Sequence, residues 1–184
     1  MIRYLMHFAA AAAALGLAGA VQADLPNGAK APGFTTQGAL AGKPFAFNLK
    51  AALRKGPVVL YFYPKSFTQG CTLEAHAFAE ATDEFRSAGA TVIGLSADDL
   101  ATQQKFSKEA CRDKFAVGVA SPAIVAAYDV ALKGNGAPAG MTSRTSYVIG
   151  RDGRIKLVFT DMNFRDHVRM TLAAVKALSA KPAR

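Results

Sequence analysis

Hydrophobic positions change their period along the chain, and each change marks a structural element. Val58, Val59, Leu60, Tyr61, Phe62 and Tyr63 are apolar without a break, the pattern of a β-strand covered on both faces. Pro64 ends that run. Gly70 then offers the backbone freedom for a turn. Beyond it Cys71, Phe78 and Phe85, reinforced by Ala75 and Ala81, recur at helical spacing. The spacing predicts a helix closed by Gly89, with Cys71 in its first turn.

The rest of the chain follows the same alternation. Phe45, Phe47 and Leu49 alternate as in a short strand, residues 50–55 form a helical turn, and Gly56 and Pro57 open the central strand. Residues 91–95 read as a second buried strand. Asp98 or Asp99 can cap a helix reaching about residue 113, and Ser121 with Pro122 starts another through Tyr128. Residues 145–149 and 155–159 form a hairpin around Gly150, Arg151, Asp152 and Gly153, and Asn163 caps a last helix to about Leu178. Strands alternating with helices predict an α/β layer structure.

Composition changes the picture first at the N-terminus. Residues 1–23 carry Arg3 and His7, continue as an alanine-rich apolar run and end on Val21, Gln22 and Ala23, the small-residue pattern of a cleaved export signal. Cleavage after Ala23 leaves residues 24–184, the size of one domain with room for a proper core. The formal charge of +9 falls by one without Arg3, and the basic residues are scattered among acidic ones. Scattered charge argues against nucleic acid and for solvated surface with some affinity for anionic envelope components. An exported protein with two cysteines, Cys71 and Cys111, can hold them as a bridge or as a working redox pair.

Cys71 is the main chemical candidate. A thiol in the first turn of a helix lies among unpaired N–H groups at the positive end of the macrodipole, which favours the thiolate. That terminus supplies about 0.3 to 1 kcal/mol, whereas each pKa unit is worth about 1.36 kcal/mol. A cationic partner is therefore required, and Arg144 is the candidate. At roughly 4 Å and an effective dielectric near 20 it would contribute about 4 kcal/mol before desolvation losses.

Pro64, Thr68 and Cys71, spaced Pro-x-x-x-Thr-x-x-Cys with Glu74 three residues on, resemble the active-site loop of peroxiredoxins. Tyr61 to Lys65 followed by Thr68, Gly70, Cys71 and Thr72 resembles the bacterioferritin comigratory, or Q-type, subfamily. The similarity extends from Ala31, Pro32, Gly33 and Phe34 to Arg144 through Ile149 and to Asp152 and Gly153. It implies a thioredoxin-like fold, a central mixed sheet flanked by helices, and reduction of peroxides by the Cys71 thiolate with no cofactor. It further implies that Thr68 hydrogen-bonds the thiolate and the bound peroxide, that Arg144 lies beside the sulfur, and that Glu74 orients Arg144. A peroxide substrate, a thioredoxin-like or other thiol reductant, and a monomer or weak homodimer complete the expectation.

The sequence also departs from that family. His76 occupies the position, five after the reactive cysteine, where many Q-type proteins carry a resolving cysteine. About 140° around the helix from Cys71, it falls on a polar face with Glu80 and Asp83. Other Q-type proteins resolve from the helix that here holds Cys111, about one turn earlier. Cys111 is accordingly the expected resolving cysteine, with a packed, non-redox thiol and a one-cysteine enzyme as the alternative. Phe67 and Gln69 replace a polar residue and a proline of the family loop. A metal site from Cys71, His76 and His167 lacks compact ligand spacing. A thiol–disulfide oxidoreductase would use Cys-x-x-Cys, where this chain has Thr68 and Glu74. A copper-delivering thioredoxin-like protein would need a second cysteine nearby, and a non-enzymatic envelope-binding protein rests on charge alone.

Overall fold

The computed structural model describes residues 25–134, 137, 138 and 140–180. The expected export signal and its cleavage site lie outside these residues. Strands are β1 (Thr35–Leu40), β2 (Lys43–Asn48), β3 (Val58–Phe62), β4 (Thr91–Ser96), β5 (Ala116–Val119), β6 (Thr145–Ile149) and β7 (Ile155–Thr160). Helices are α1 (Leu49–Lys55), α2 (Gln69–Ser87), α3 (Leu100–Glu109), α4 (Pro122–Ala127) and α5 (His167–Ser179), the last entered through a 3₁₀ turn at Phe164–Asp166. The strands form one mixed sheet in the order β2-β1-β5-β4-β3-β6-β7. β4 pairs in parallel with β3 and β5, and the remaining pairs are antiparallel.

β3 lies inside the sheet between β4 and β6, and its unbroken apolar run has a direct physical cause. Side chains alternate across a strand, so Val58, Leu60 and Phe62 enter one core layer and Val59, Tyr61 and Tyr63 the other. The first layer packs Leu49 and Leu53 of α1 with Ile124, Tyr128 and Tyr147. The second packs Ala75, Phe78 and Phe85 of α2 with Phe106, Phe115 and Val175, and it holds both Cys71 and Cys111. The Tyr61 ring stacks on Phe78 with centroids 4.4 Å apart, which seats α2 on the sheet.

Helix starts follow the polar residues ahead of them. Asn48 caps α1 through Ala51 N–H at 2.8 Å, Asp99 caps α3 through Thr102 N–H at 2.8 Å, and Asn163 accepts from Arg165 N–H at 3.2 Å. Asp98, the other expected cap, accepts instead from Ser66 N–H and the Ser96 hydroxyl. α3 stops at Glu109, short of the expected residue 113, because Arg112 and Asp113 adopt left-handed backbone with φ of 50° and 59°. β1 and β5 carry no clean apolar alternation and were not expected from the sequence. Their pairing is close: a Cβ on Gly38 would lie 2.9 Å from the Val117 carbonyl oxygen.

Gly94 of β4 tests this packing. A Cβ there would fall 2.5 Å from Tyr61 Cζ and 2.7 Å from its Oη. Gly94→Ala should therefore displace the Tyr61 ring from Phe78 and destabilise the fold by about 1–3 kcal/mol, the usual range for overpacking. Urea unfolding should give a clearly lower midpoint, and an unchanged midpoint would mean that the Tyr61 layer is loosely packed.

Candidate active site

The segment between β3 and α2 is held from both sides. Tyr63 N–H donates to the Leu95 carbonyl at 3.0 Å, and its own carbonyl accepts from the Thr142 hydroxyl at 2.7 Å. Ser66 N–H donates to Asp98 Oδ2 at 2.7 Å. The chain then reverses at Phe67, whose φ of 64° is left-handed, a conformation costly for a side chain of this size. Its ring lies edge-on to Phe106 at 5.2 Å, which helps hold that turn. The sequence placed the turn at Gly70. Gly70 instead lies inside the first turn of α2, where a Cβ would sit 3.3 Å from Arg144 Nη2, so its missing side chain makes room for the guanidinium.

Cys71 occupies the first turn of α2 and is 2% exposed. Arg144, immediately before β6, is 4% exposed and directs three nitrogens at three partners. Nη2 lies 3.4 Å from Cys71 Sγ, Nη1 pairs with Glu74 Oε2, and Nε donates to the Met162 carbonyl at 3.0 Å. The expected meeting of Arg144, Glu74 and the thiol is thus present. Glu74 and Cys71 both push the guanidinium pKa up against the opposing effect of burial. A planar, permanently charged fork suits this position, since it can address a sulfur and a carboxylate at once.

Glu74 is fully buried. Burial pushes its carboxyl up to about 8, outweighing the downward pull of Arg144. The hydrogen bonding explains why: Arg144 satisfies Oε2, but Oε1 has no hydrogen-bond partner. His167, also fully buried, has its Nδ1 3.9 Å from that oxygen. Its Nε2 lies 2.9 Å from the Asp161 carbonyl and its Nδ1 2.8 Å from the Ser146 hydroxyl. Burial holds the imidazole pKa below the ordinary value. The sequence offered no sign of this contact, because Glu74 and His167 come from helices far apart in the chain.

Thr68 departs from expectation. It is the exposed N-cap of α2, makes no side-chain cap bond, and donates its hydroxyl to the Lys65 carbonyl at 2.9 Å instead of to the thiol. The left-handed turn at Phe67 brings Lys65 O within reach and draws the hydroxyl back along the loop. β3 ends at Phe62, one residue short of the apolar run that Pro64 was expected to close, and Pro64 lies in the loop beyond it. Cys111 lies past the end of α3, in the turn with Arg112 and Asp113, instead of within the helix. It is fully buried and unbridged, and burial, with Asp113 adding to it, pushes its thiol well above the ordinary range. His76 is partly exposed on α2. Among the described residues no three His, Cys, Asp or Glu side chains cluster as a metal site.

The AhpC/TSA family model matches residues 27–158. Peroxidoxin BcpB from Mycobacterium tuberculosis superposes with a TM-score of 0.71 at 30% identity, covering 83% of this chain and 97% of that one. A Xanthomonas campestris bacterioferritin comigratory protein, studied for alkyl peroxide reduction, superposes with a TM-score of 0.68 at 27% identity, covering 78% and 91%. The alignment with chloroplastic peroxiredoxin Q of rice (Oryza sativa subsp. japonica) is local. It is 51% identical over 53 residues, which are 29% of this chain and only 24% of the relative's length.

The raised Glu74 carboxyl has a measurable consequence for stability. Its folded value, about 8, lies above the ordinary 4.5, so the native state holds this proton more tightly than the unfolded chain does. That contribution is complete below about pH 4.5 and is lost as pH rises toward 8. Glu74→Gln cannot titrate, so its urea midpoint should improve relative to wild type between pH 5 and pH 9. A difference that stays constant over this range would mean that Glu74 is ionised equally in both states.

Proposed function

The chain belongs to the AhpC/TSA family as a peroxiredoxin of the Q, or bacterioferritin comigratory, type, a thiol peroxidase by class, and we propose that Cys71 is its peroxide-reactive cysteine. The observation that carries this reading is Arg144 Nη2 at 3.4 Å from Cys71 Sγ in the first turn of α2. The Cys71 thiolate attacks one peroxide oxygen, an S–O bond forms as the O–O bond breaks, and the sulfur becomes a sulfenic acid. The departing oxygen carries away the electron pair as hydroxide or alkoxide and takes a proton to become water or alcohol. Arg144 and the free N–H groups of the first helical turn stabilise the developing negative charge. Thr68, exposed at the N-terminus of the helix, gives its hydroxyl proton to the Lys65 carbonyl and can accept a hydrogen bond from the incoming peroxide through its oxygen. Pro64 shapes the same loop.

Hydrogen peroxide and organic hydroperoxides both suit this chemistry. The neighbouring Phe67 side chain, 46% exposed, presents apolar surface that favours an alkyl group. Cys111 is the proposed resolving cysteine: its sulfur attacks the sulfenic sulfur, water leaves, and a disulfide forms. A thioredoxin-like or other thiol reductant then returns both cysteines to thiols. Because Cys111 is fully buried and its thiol is held neutral, resolution requires the turn after α3 and the start of α2 to open. Export through residues 1–23 would deliver the protein to the periplasm or the exterior, where it works as a monomer or weak homodimer. Among the described residues no helix is long and apolar enough to cross a membrane. A thiol–disulfide oxidoreductase is disfavoured because the flanking position that would need a second sulfur carries Glu74, committed to Arg144.

Peroxide consumption by the mature protein with an added thiol reductant tests the central assignment. Cys71→Ser should abolish consumption, and retained activity would remove Cys71 from the reaction. Mass spectrometry after one equivalent of peroxide tests the second step. Loss of two hydrogens with a peptide linking Cys71 to Cys111 is expected. A stable sulfenic or sulfinic acid at Cys71, with Cys111 still alkylatable, would make this a one-cysteine enzyme.

A further inference from the structure

A second polar cluster lies beside the loop between β3 and α2. Tyr63, Ser96 and Gln103 are fully buried, Ser66 is nearly so, and Asp98 is half-buried. Asp98 fixes the position of every shared hydrogen among them. A carboxylate can only accept, and Asp98 Oδ2 takes Ser66 N–H at 2.7 Å and the Ser96 hydroxyl at 2.8 Å. With its own hydrogen committed, Ser96 Oγ must accept from Gln103, which turns the amide so that Nε2 faces Ser96 at 2.8 Å and Oε1 faces Tyr63. The Tyr63 hydroxyl therefore donates to Gln103 Oε1 at 2.7 Å, and its oxygen is left to accept from Ser66 Oγ at 3.2 Å. The ring of hydrogen bonds begins and ends at Ser66, which is held by both its N–H and its hydroxyl.

Ser66 immediately precedes Phe67, whose left-handed φ of 64° is one that a large L side chain avoids. Beyond it, the Thr68 hydroxyl closes on the Lys65 carbonyl at 2.9 Å, spanning Ser66 and Phe67. The direction in which the chain leaves Phe67 decides where α2 begins, and with it the places of Thr68 and Cys71. Arg144 reaches the same sulfur from the start of β6, a strand anchored separately by its pairing with β3. The contact of 3.4 Å between Arg144 Nη2 and Cys71 Sγ thus joins two independent supports, and only the α2 side passes through a strained turn. Freed of its hold on Ser66, Phe67 would relax into ordinary backbone and carry the first turn of α2 with it.

We propose that Asp98 is a positioning residue for the peroxide reaction: by holding Ser66 it keeps Phe67 in its left-handed turn, and so keeps the Thr68 oxygen and the Cys71 sulfur in register with Arg144. The proposal rests on the assignment of Cys71 as the peroxide-reactive cysteine. Asp98 acts through the backbone of Ser66 and not on the sulfur itself. Two consequences separate this role from a general contribution to stability. The effect of Asp98 must depend on how readily residue 67 accepts left-handed backbone. It must also fall on a reaction that needs several groups aligned around the reagent, and spare one that needs only an accessible thiolate.

Oxidation of Cys71 by hydrogen peroxide and its alkylation by iodoacetamide, each timed by quenching and mass spectrometry of the Cys71 peptide in a Cys111→Ser background, read the two reactions at one sulfur. Both are measured at the alkaline plateau of the alkylation profile, where the thiol is ionised in every variant. Asp98→Ala should slow oxidation by about ten- to a hundredfold and change alkylation by less than about twofold. Asp98→Asn keeps an accepting oxygen without its charge, and should slow oxidation by only about threefold. Phe67→Asn puts at the turn a residue that accepts left-handed backbone more readily, and hydrogen peroxide has no alkyl group to miss the lost ring. In that background Asp98→Ala should slow oxidation by less than about twofold. Oxidation at the parent rate in Asp98→Ala, an equal loss of oxidation and alkylation, or an equal Asp98→Ala penalty in both backgrounds would each overturn the proposal. Should Asp98→Ala fail to fold, Asp98→Asn decides, and unchanged oxidation or a loss that Phe67→Asn does not reduce would overturn it. A parent protein whose Cys71 is left unoxidised by peroxide would instead remove the assignment of Cys71, which separates the two failures.

Discussion

The buried guanidinium of Arg144 is the constraint on which the rest of the site depends. A permanent cation that is 4% exposed must have its charge answered by protein groups, and three arrive from two parts of the chain: the Cys71 sulfur and the Glu74 carboxyl group from α2, and the Met162 carbonyl from the segment after β7. α2, the start of β6 and the segment after β7 are thereby tied to one point. Buried ion pairs add little net stability, because desolvation offsets most of the attraction, yet removing one partner typically costs about 3–5 kcal/mol. The arrangement is better understood as holding a charge against a sulfur than as holding the fold together. Stability comes from the two apolar layers that β3 feeds on its alternate faces.

Those layers also account for the position of Cys71. β3 and β4 run parallel, and both turn into the segments that flank the site at their C-terminal ends. Ser96 and Asp98, just past β4, hold the loop after β3 through the Asp98 bonds to Ser66 N–H and the Ser96 hydroxyl. Gln103 of α3 joins the same network, accepting from the Tyr63 hydroxyl at 2.7 Å and donating to Ser96 at 2.8 Å. A left-handed Phe67 can persist because this polar network and the Phe106 ring determine the path of the loop on both sides. The strain is confined to the residue that turns the chain into α2.

How much of this was legible in the sequence depended on whether the signal was local. β3, α2, the position of Cys71, the β6–β7 hairpin and the caps at Asp99 and Ser121 all follow from period and cap chemistry within a few residues. β1 and β5 do not, since short strands containing Gly38 and Gly118 owe their form to pairing with each other and leave little apolar alternation. Arg144 and Glu74 became legible through family resemblance, because nothing in the spacing of residues 74 and 144 brings them together. Gly70 carried a real signal that was misassigned: its missing Cβ serves the approach of Arg144, while the turn falls to Phe67. His167 was visible only as a member of a metal set with Cys71 and His76 that lacked compact ligand spacing. The Glu74 oxygen near it becomes apparent once α2 and α5 are packed side by side.

The same arrangement bears on how a compact site can release its cysteine to a partner sulfur. α1 and α3 begin with side-chain caps, but Thr68 gives α2 none, so the turn holding Cys71 lacks a contribution worth about 1 kcal/mol at the other helix starts. That turn is held instead by Thr72 N–H donating to the Thr68 carbonyl at 2.9 Å and by the attraction of Arg144 for the sulfur and for Glu74. In the proposed reaction, oxidation of a Cys71 thiolate to a neutral sulfenic acid removes one of the charges that Arg144 answers. The chemical step thus weakens the contact that keeps the first turn of α2 closed, at the moment when the sulfur must become accessible. On the other side, Cys111 sits beside two left-handed residues whose backbone strain is relieved when that turn opens. Both ends of the expected disulfide lie at the ends of helices in one core layer, on the same face of the sheet, which can stay intact while they move.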